Sequence, residues 1–242
     1  MPQTALFSDI HGNLEALKAI VNDARAQGIT NFACLGDLVG YGPDPSGCVA
    51  MVQEIGCACV KGNHDDDASN DRDLWNLSDN ARESLLWTRE HLSESQKTWL
   101  RELPYQRRLG RNMLVHSTLE EPSSWHYVHN KFDAEMALSK QKVPVCFFGH
   151  THVPVCYQSN NQGTKKISDS EISLAKDMRY LVNVGSVGQP RDGDPKACYV
   201  IFDSTANTLS YRRVDYNIGE VVRGIADAGL SPDLGARLHA AA

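Results

Sequence analysis

Apolar and polar positions alternate in blocks along this chain, and the blocks change character near residue 150. Thr4 to Ser8 is a short apolar, strand-like run. Leu14, Leu17, Val21 and Ala24 then recur at helical spacing, and Gly28 closes that helix. Phe32 to Leu35 is a second strand-like run, and the Gly- and Pro-rich stretch from Gly40 to Gly47 reads as a turn. Cys48 to Ile55 follows as a helix and Cys57 to Val60 as a third apolar run. Helices are predicted over Ser78 to His91 and from Ser93, where Ser93 and Gln96 form a capping-box pattern; Pro104 ends the second. Asn112 to Val115 and Val143 to Phe148 are two further strand-like runs. Such βαβα alternation predicts a mainly parallel sheet flanked by helices.

Beyond residue 150 strands follow one another through turns. Val153 to Gln158, Tyr180 to Val184, Ala197 to Asp203 and Thr208 to Tyr216 carry this pattern. The polar stretch from Asn160 to Lys176 reads as a mobile loop or a ragged hairpin. The tail is helical, with Ser231 as its cap and Pro232 in its first turn. The expectation is therefore an α/β fold of two packed sheets with helices outside, forming one domain over residues 1–242.

Composition narrows the function classes. A formal charge of −6 and the absence of any long basic run do not invite nucleic acid. No apolar stretch has transmembrane length, and the start, MPQTALFSDIHGN, lacks the features of a signal peptide, so a cytoplasmic protein with no membrane partner is expected. Seven cysteines fit a reducing compartment. Cys34, Cys146 and Cys198 sit inside apolar runs. Cys57 and Cys59 have no second pair to complete a zinc site and read as strand filler.

The chemistry lies where the apolar runs end. Five of them finish in metal-ligand side chains: Ser8-Asp9-Ile10-His11, Gly36-Asp37, Gly62-Asn63-His64-Asp65, His116, and Gly149-His150-Thr151-His152. Ligands of open α/β sheets bind beyond the carboxyl ends of strands, so these scattered groups can converge. Residues i and i+2 of an extended segment point the same way, which would aim Asp9 with His11, and His150 with His152, at one centre. Gly36, Gly62 and Gly149 would let the backbone turn sharply beside them. One such fragment means little; five in this order make a metal site.

These motifs resemble the calcineurin-like metallophosphoesterases, whose signature is Asp-x-His, Gly-Asp, Gly-Asn-His-Asp/Glu, a lone His, and Gly-His-x-His. All are present, in order, across residues 9–152. Residues 8–13, 36–43 and 185–193 further resemble the small bacterial and archaeal phosphodiesterases of that family. The resemblance implies a four-layer α/β/β/α sandwich of two mixed sheets. It implies two divalent transition-metal ions (Mn, Fe, Ni, Co or Zn), one held by Asp9, His11, Asp37 and His152. The other would be held by Asp37, Asn63, His116 and His150, with Asp37 bridging. Two such ions leave a surplus of positive charge suited to a bridging hydroxide nucleophile and a phosphate anion.

His64, next to ligand Asn63, is expected to contact the phosphate or protonate the leaving oxygen. Asp65 would either orient His64 or cap the next segment. Protein phosphatases and symmetrical dinucleoside tetraphosphatases place an arginine after Gly-Asp. Here the stretch is Gly40-Tyr41-Gly42, and Arg191 is the candidate to replace that arginine as a phosphate contact. His126 and His129 follow His116 in a segment that could wall the pocket, with no assigned role. The expected partner is a small phosphoester, first a nucleotide or organic phosphodiester. Phosphomonoesterase or nucleotide pyrophosphatase action on the same site is the alternative. A nuclease ranks below these, and a non-catalytic protein-binding scaffold is disfavoured by the complete ligand set. The sequence leaves substrate, metal identity and oligomeric state open.

Overall fold

A computed structural model describes residues 3–242. The first half runs β1 (Gln3–Phe7), α1 (Leu14–Ala26), β2 (Phe32–Cys34), α2 (Pro45–Glu54), β3 (Ala58–Cys59), α3 (Asn63–Ser69), α4 (Asp79–His91) and α5 (Glu94–Glu102). It continues through β4 (Gln106–Leu109), β5 (Asn112–Val115), α6 (Lys131–Lys140) and β6 (Val145–Phe148). The second half holds β7 (Val155–Asn160), β8 (Gly163–Ile167), β9 (Glu171–Ser173), β10 (Arg179–Asn183), β11 (Ala197–Asp203) and β12 (Thr208–Val214). The chain closes with α7 (Ile218–Asp227) and α8 (Pro232–Ala240).

Two six-stranded sheets result, in the orders β3-β2-β1-β11-β12-β9 and β4-β5-β6-β10-β7-β8. Both are mixed. In the first, β1 runs parallel to β2 and antiparallel to β11. In the second, β10 runs parallel to β6 and antiparallel to β7. Their central strands are apolar on both faces because each sheet is covered twice. Along β1, Leu6 joins an inter-sheet core with Phe147, Val182, Val200 and Phe202. Its neighbours Ala5 and Phe7 join the core beneath α1, α2 and α5. On the far side α6 packs Ala134 and Leu138 onto Phe148 and Leu181. This is the four-layer sandwich expected from the sequence.

Several boundaries differ from the sequence reading. Helix α2 starts three residues before Cys48, because Asp44 accepts the Gly47 N–H at 2.7 Å and Pro45 fits the first helical turn. Most of the stretch from Asn160 to Lys176 is ordered strand. β8 pairs with β7, and β9 crosses to the other sheet beside β12. Helices α3 and α6 and strand β4 were not predicted. All seven cysteines are free thiols, and Cys34 pairs in register with Cys59 inside the first sheet. No helix among the described residues is long and apolar enough to cross a membrane.

Candidate metal centre

The strand ends of both sheets deliver their polar residues to one place. The connecting loops are stitched together by backbone bonds: Asp9 N–H to Gly36 C=O and His11 N–H to Asp37 C=O, both 3.0 Å. The convergence does not come from the strand pleat. Asp9, His11, Asp37, His150 and His152 all adopt left-handed backbone, with φ of 55°, 49°, 54°, 66° and 61°. They lie past the strand ends, so the i, i+2 argument does not apply: Asp9 and His11 do enter one group of donors, but His150 and His152 enter different ones. Non-glycine residues in this region cost of order 1–3 kcal/mol each and persist only where the surroundings impose them.

Close packing imposes them here. A Cβ on Gly62 would lie 2.8 Å from the Asp37 Cγ, and one on Gly149 would lie 2.6 Å from Asp9 Oδ2. Neither glycine has positive φ, so both serve close approach rather than a sharp turn. Gly36 does both: its φ is +94°, and a Cβ there would lie 2.5 Å from the Gly62 nitrogen.

The side chains form two adjoining groups. Asp9, His11, Asp37 and His152 make one, and Asp37, His116 and His150 the other; within each, the donor atoms lie within 4.8 Å of one another. Asp37 Oδ2 sits between them, 3.6 Å from His11 Nε2 and 3.3 Å from His116 Nε2. Its other oxygen accepts the His64 N–H at 2.9 Å. Asn63 Oδ1 completes the second group, 3.2 Å from His116 Nε2.

Each imidazole is oriented by a backbone carbonyl. His11 Nδ1 faces Val39 C=O at 3.0 Å, His116 Nδ1 faces Leu35 C=O at 2.7 Å and His152 Nδ1 faces Gln189 C=O at 2.6 Å. His150 uses its Nε2, 2.9 Å from Trp125 C=O. A carbonyl only accepts, so these nitrogens carry the protons and the opposite nitrogens present lone pairs to the centre. Those lone pairs confront each other: His11 Nε2 and His152 Nε2 are 3.1 Å apart, as are His116 Nε2 and His150 Nδ1. Two lone pairs at that distance repel unless a cation lies beside them. A proton on His116 relieves the second couple when no metal is bound, whereas His11 and His152 both stay neutral and need a metal ion between them. The donor set therefore fits metal ions, and oxygen with nitrogen ligands and no thiolate suits the transition metals of the sequence expectation.

The electrostatics agree. Burial holds His11 and His152 well below the ordinary imidazole range, so both stay neutral. Burial, then the His116 charge, lowers His150 to about 3. Burial also acts downward on His116, but the Asp37 and Asp9 carboxylates outweigh it and raise the imidazole to about 9. Burial lifts Asp9 to about 7. Burial opposes ionisation of Asp37 too, yet the charges of His116 and His64 hold it well below its usual value. Without metal, the site thus keeps a proton on His116 to offset its carboxylates.

His64 is buried beside this cluster, its ring centroid 4.8 Å from that of His11 and 4.7 Å from that of Tyr41. Its Nδ1 is buried without a partner among the described residues. Asp65 does not orient it. The Asp65 carboxylate instead accepts N–H bonds from Asp37 and Leu38, both 2.8 Å, and from Gly62 at 3.0 Å. Of the two sequence readings, capping is the one realised, and Asp65 shapes the Asp37 loop. Burial and then the Asp37 charge raise Asp65 to about 8, against the pull of those N–H donors; a cation beside Asp37 would lower it.

Arg191 lies at the rim, its guanidinium 6.0 Å from the Tyr41 ring centroid and bonded to Gln189 Oε1 at 2.8 Å. His126 and His129 are exposed. His126 lies 3.9 Å from Glu121, whereas His129 stacks on Tyr127, which in turn stacks on His150 at 3.9 Å.

Several supporting residues escaped the sequence reading. Ser186 donates to the Asp9 carbonyl at 2.8 Å, and Asn183 to the Gly149 carbonyl at 2.6 Å. Gln189 and Trp125 act through backbone carbonyls, which no side-chain pattern reveals. Ser186 and Gln189 lie within the 185–193 motif, so a signal existed without a role.

Comparison with known proteins agrees with this geometry. Residues 3–207 match the calcineurin-like phosphoesterase superfamily domain. An uncharacterized protein of Methanocaldococcus jannaschii is 34% identical over 238 residues, covering 97% of this chain and 96% of that protein. The crystal structure of a metallophosphoesterase from Sphaerobacter thermophilus superposes with a TM-score of 0.88 at 34% identity, covering 100% of this chain and 99% of that one. A hypothetical protein from Pyrococcus horikoshii shares the fold, with a TM-score of 0.84 at 17% identity over 100% of this chain and 99% of that one. By its strand-end Asp–His cluster and by a match that spans most of its length, the chain belongs to the calcineurin-like phosphoesterase superfamily, phosphoester hydrolases that use divalent metals.

Proposed function

We propose that the protein is a two-metal phosphodiesterase acting on a small nucleotide or organic phosphodiester. The observation that carries this reading is the pair of confronted imidazole couples either side of Asp37, their outer nitrogens already committed to backbone carbonyls. Asp9, His11, Asp37 and His152 would hold one ion, and Asp37, Asn63, His116 and His150 the other. When bound, two such ions supply an activated water nucleophile and neutralise the phosphoryl oxygens in an in-line displacement.

The chain's own groups do the rest. The carbonyl-bound histidines and the Asp65-anchored loop fix the donors in advance, so little reorganisation accompanies reaction. His64, with no acceptor at Nδ1, keeps Nε2 as its functional nitrogen, suited to contact a phosphoryl oxygen or protonate the leaving oxygen. Tyr41 packs against His64 on the stretch where some relatives carry arginine, so the position nearest His64 is neutral. That suits a monoanionic diester better than a dianionic monoester, and Arg191 supplies a more distant positive charge. Seven free thiols support a cytoplasmic setting.

Hydrolysis of bis-p-nitrophenyl phosphate, with manganese and other divalent ions added in turn, tests the reading. A diester rate at least tenfold above that for p-nitrophenyl phosphate is expected. Faster monoester turnover would favour the phosphomonoesterase alternative, and no turnover with any metal would overturn the enzymatic reading.

A further inference from the structure

The strands that deliver the metal ligands have a second end. Asp37, Asn63 and His116 follow β2, β3 and β5, whereas Asn31, Gly56 and Arg111 precede the same three strands. Those three preceding residues line a cavity of about 560 Å³. Thr4, Ala33 and Phe202 of the first sheet and Leu109 and Asn112 of the second also line it, so it opens between the two sheets. It therefore lies at the far end of the strands from the metal centre, and its volume is that of a small-molecule site.

The lining combines three kinds of group. Phe32, Leu109 and Phe202 make it apolar in part. Asn31, Asn112 and Asn207 contribute carboxamides. Asn112 is 4% exposed, and its Oδ1 is sealed from solvent with no partner among the described residues. A buried acceptor left without a donor is rare, and a turn of this amide toward the cavity would give it a ligand N–H. Arg111 is the one charged residue of the lining among the described residues.

The position of the Arg111 guanidinium is fixed by a bond across the mouth. From the β4–β5 turn of the second sheet, its Nη2 donates to Asn207 Oδ1, in the β11–β12 turn of the first, at 3.3 Å. That partner is a neutral amide. Arg111 pairs with no acidic side chain among the described residues, and its exposed head keeps its charge and most of its N–H donors for an anion. A protein of net charge −6 thus holds an acid-free cavity with one cation at its entrance.

We propose that this cavity is a second ligand site, separate from the metal centre, that takes a nucleoside monophosphate. The base lies against Phe32, Leu109 and Phe202. The Asn112 amide meets the base edge, since a carboxamide presents the paired donor and acceptor that an adenine edge requires. The phosphate takes charge-assisted bonds from Arg111 at the mouth. A ligand bound here leaves the metal centre open to substrate, and the assignment stands whatever that centre hydrolyses.

Calorimetry of the full chain tests it, after EDTA treatment so that no ion at the metal centre attracts phosphate. The ligands are adenosine 5′-monophosphate, adenosine and inorganic phosphate. The nucleotide should bind one site at least tenfold more tightly than either fragment. Arg111→Ala, an exposed change that leaves the fold intact, should weaken the nucleotide at least tenfold and leave adenosine unchanged; Arg111→Lys should keep part of the affinity. Asn112→Ala should weaken nucleotide and nucleoside alike. Crystals soaked in adenosine 5′-monophosphate should show it between the sheets beside Arg111. Nucleotide found only beside Asp37, affinity no greater than that of adenosine, or affinity unchanged in Arg111→Ala would each overturn the site.

Discussion

Asp65→Asn separates two roles that the sequence could not. In metal-loaded protein, where a cation beside Asp37 favours its ionised form, the Asp65 carboxylate is fully buried and receives three backbone N–H bonds. Oδ2 accepts from Asp37 and Gly62, and Oδ1 from Leu38. Asparagine keeps one acceptor and turns an NH₂ toward the remaining N–H groups. At least one buried N–H loses its partner and faces another donor. An unsatisfied buried donor costs about 1–3 kcal/mol, and the surviving bonds lose their charge assistance. Relief of repulsion between Asp65 and Asp37 offsets part of this, leaving a net destabilisation of about 2–3 kcal/mol. For a chain of this size that is a fall in Tm of roughly 4–12 °C. Because the freed N–H groups belong to the Asp37 loop, metal content should fall with stability. Differential scanning calorimetry and elemental analysis check both. Had Asp65 acted by orienting His64, the mutant would keep its metal and its Tm and lose rate only on substrates with poor leaving groups. That pattern would refute the positioning role.

Three other perturbations probe the same centre. His64→Ala, compared at matched metal occupancy over a leaving-group series, should slow alkyl or nucleoside diesters by about 10²–10⁴-fold and nitrophenyl diesters far less if His64 is the acid; a parallel drop would leave it a phosphate contact. Arg191→Ala should raise KM about tenfold or more, the cost of one charge-assisted contact, with metal content unchanged; unchanged kinetics would demote it to a surface charge. Metal binding must displace the proton that Asp37 and Asp9 hold on His116, whose metal-free pKa is raised to about 9. Titration at pH 7.5 in buffers of different ionisation enthalpy should therefore show about one proton or more released on loading. Loading should weaken about tenfold for each unit that pH falls from 9 to 7, and more steeply below 7, where Asp9 also binds a proton; the absence of proton release would contradict this reading of His116.

What was legible in the sequence follows from where each signal resides. Ligands such as Asp37 and His116 stood out because polar residues that end apolar runs break a strong pattern. The fold layers were legible for the same reason: β6 is apolar throughout, and β1 over Ala5 to Phe7, because both their faces are covered. Helix α3 stayed hidden because Asn63 to Ser69 is a polar run shaped by the Asp37 loop rather than by an apolar stripe. Helix α6 buries little beyond Ala134 and Leu138, so its periodicity is faint, although Asn130 and Asp133 form a capping box. Strand β4 is an exposed edge whose one apolar residue, Leu109, is too little to set up an alternation. The left-handed backbone of Asp9 and His150 was beyond reach, since it is imposed by contacts from segments distant in sequence, and the carbonyls that orient the histidines carry no side-chain signature at all.

The central claim is a pair of ions sharing Asp37. Crystals grown with manganese, measured at a wavelength where manganese scatters anomalously, test it most directly. The expected result is two peaks roughly 3.5–4 Å apart on either side of the Asp37 carboxylate, one among Asp9, His11 and His152 and the other among Asn63, His116 and His150. A single peak in manganese-saturated protein, or two peaks that do not share Asp37, would contradict it.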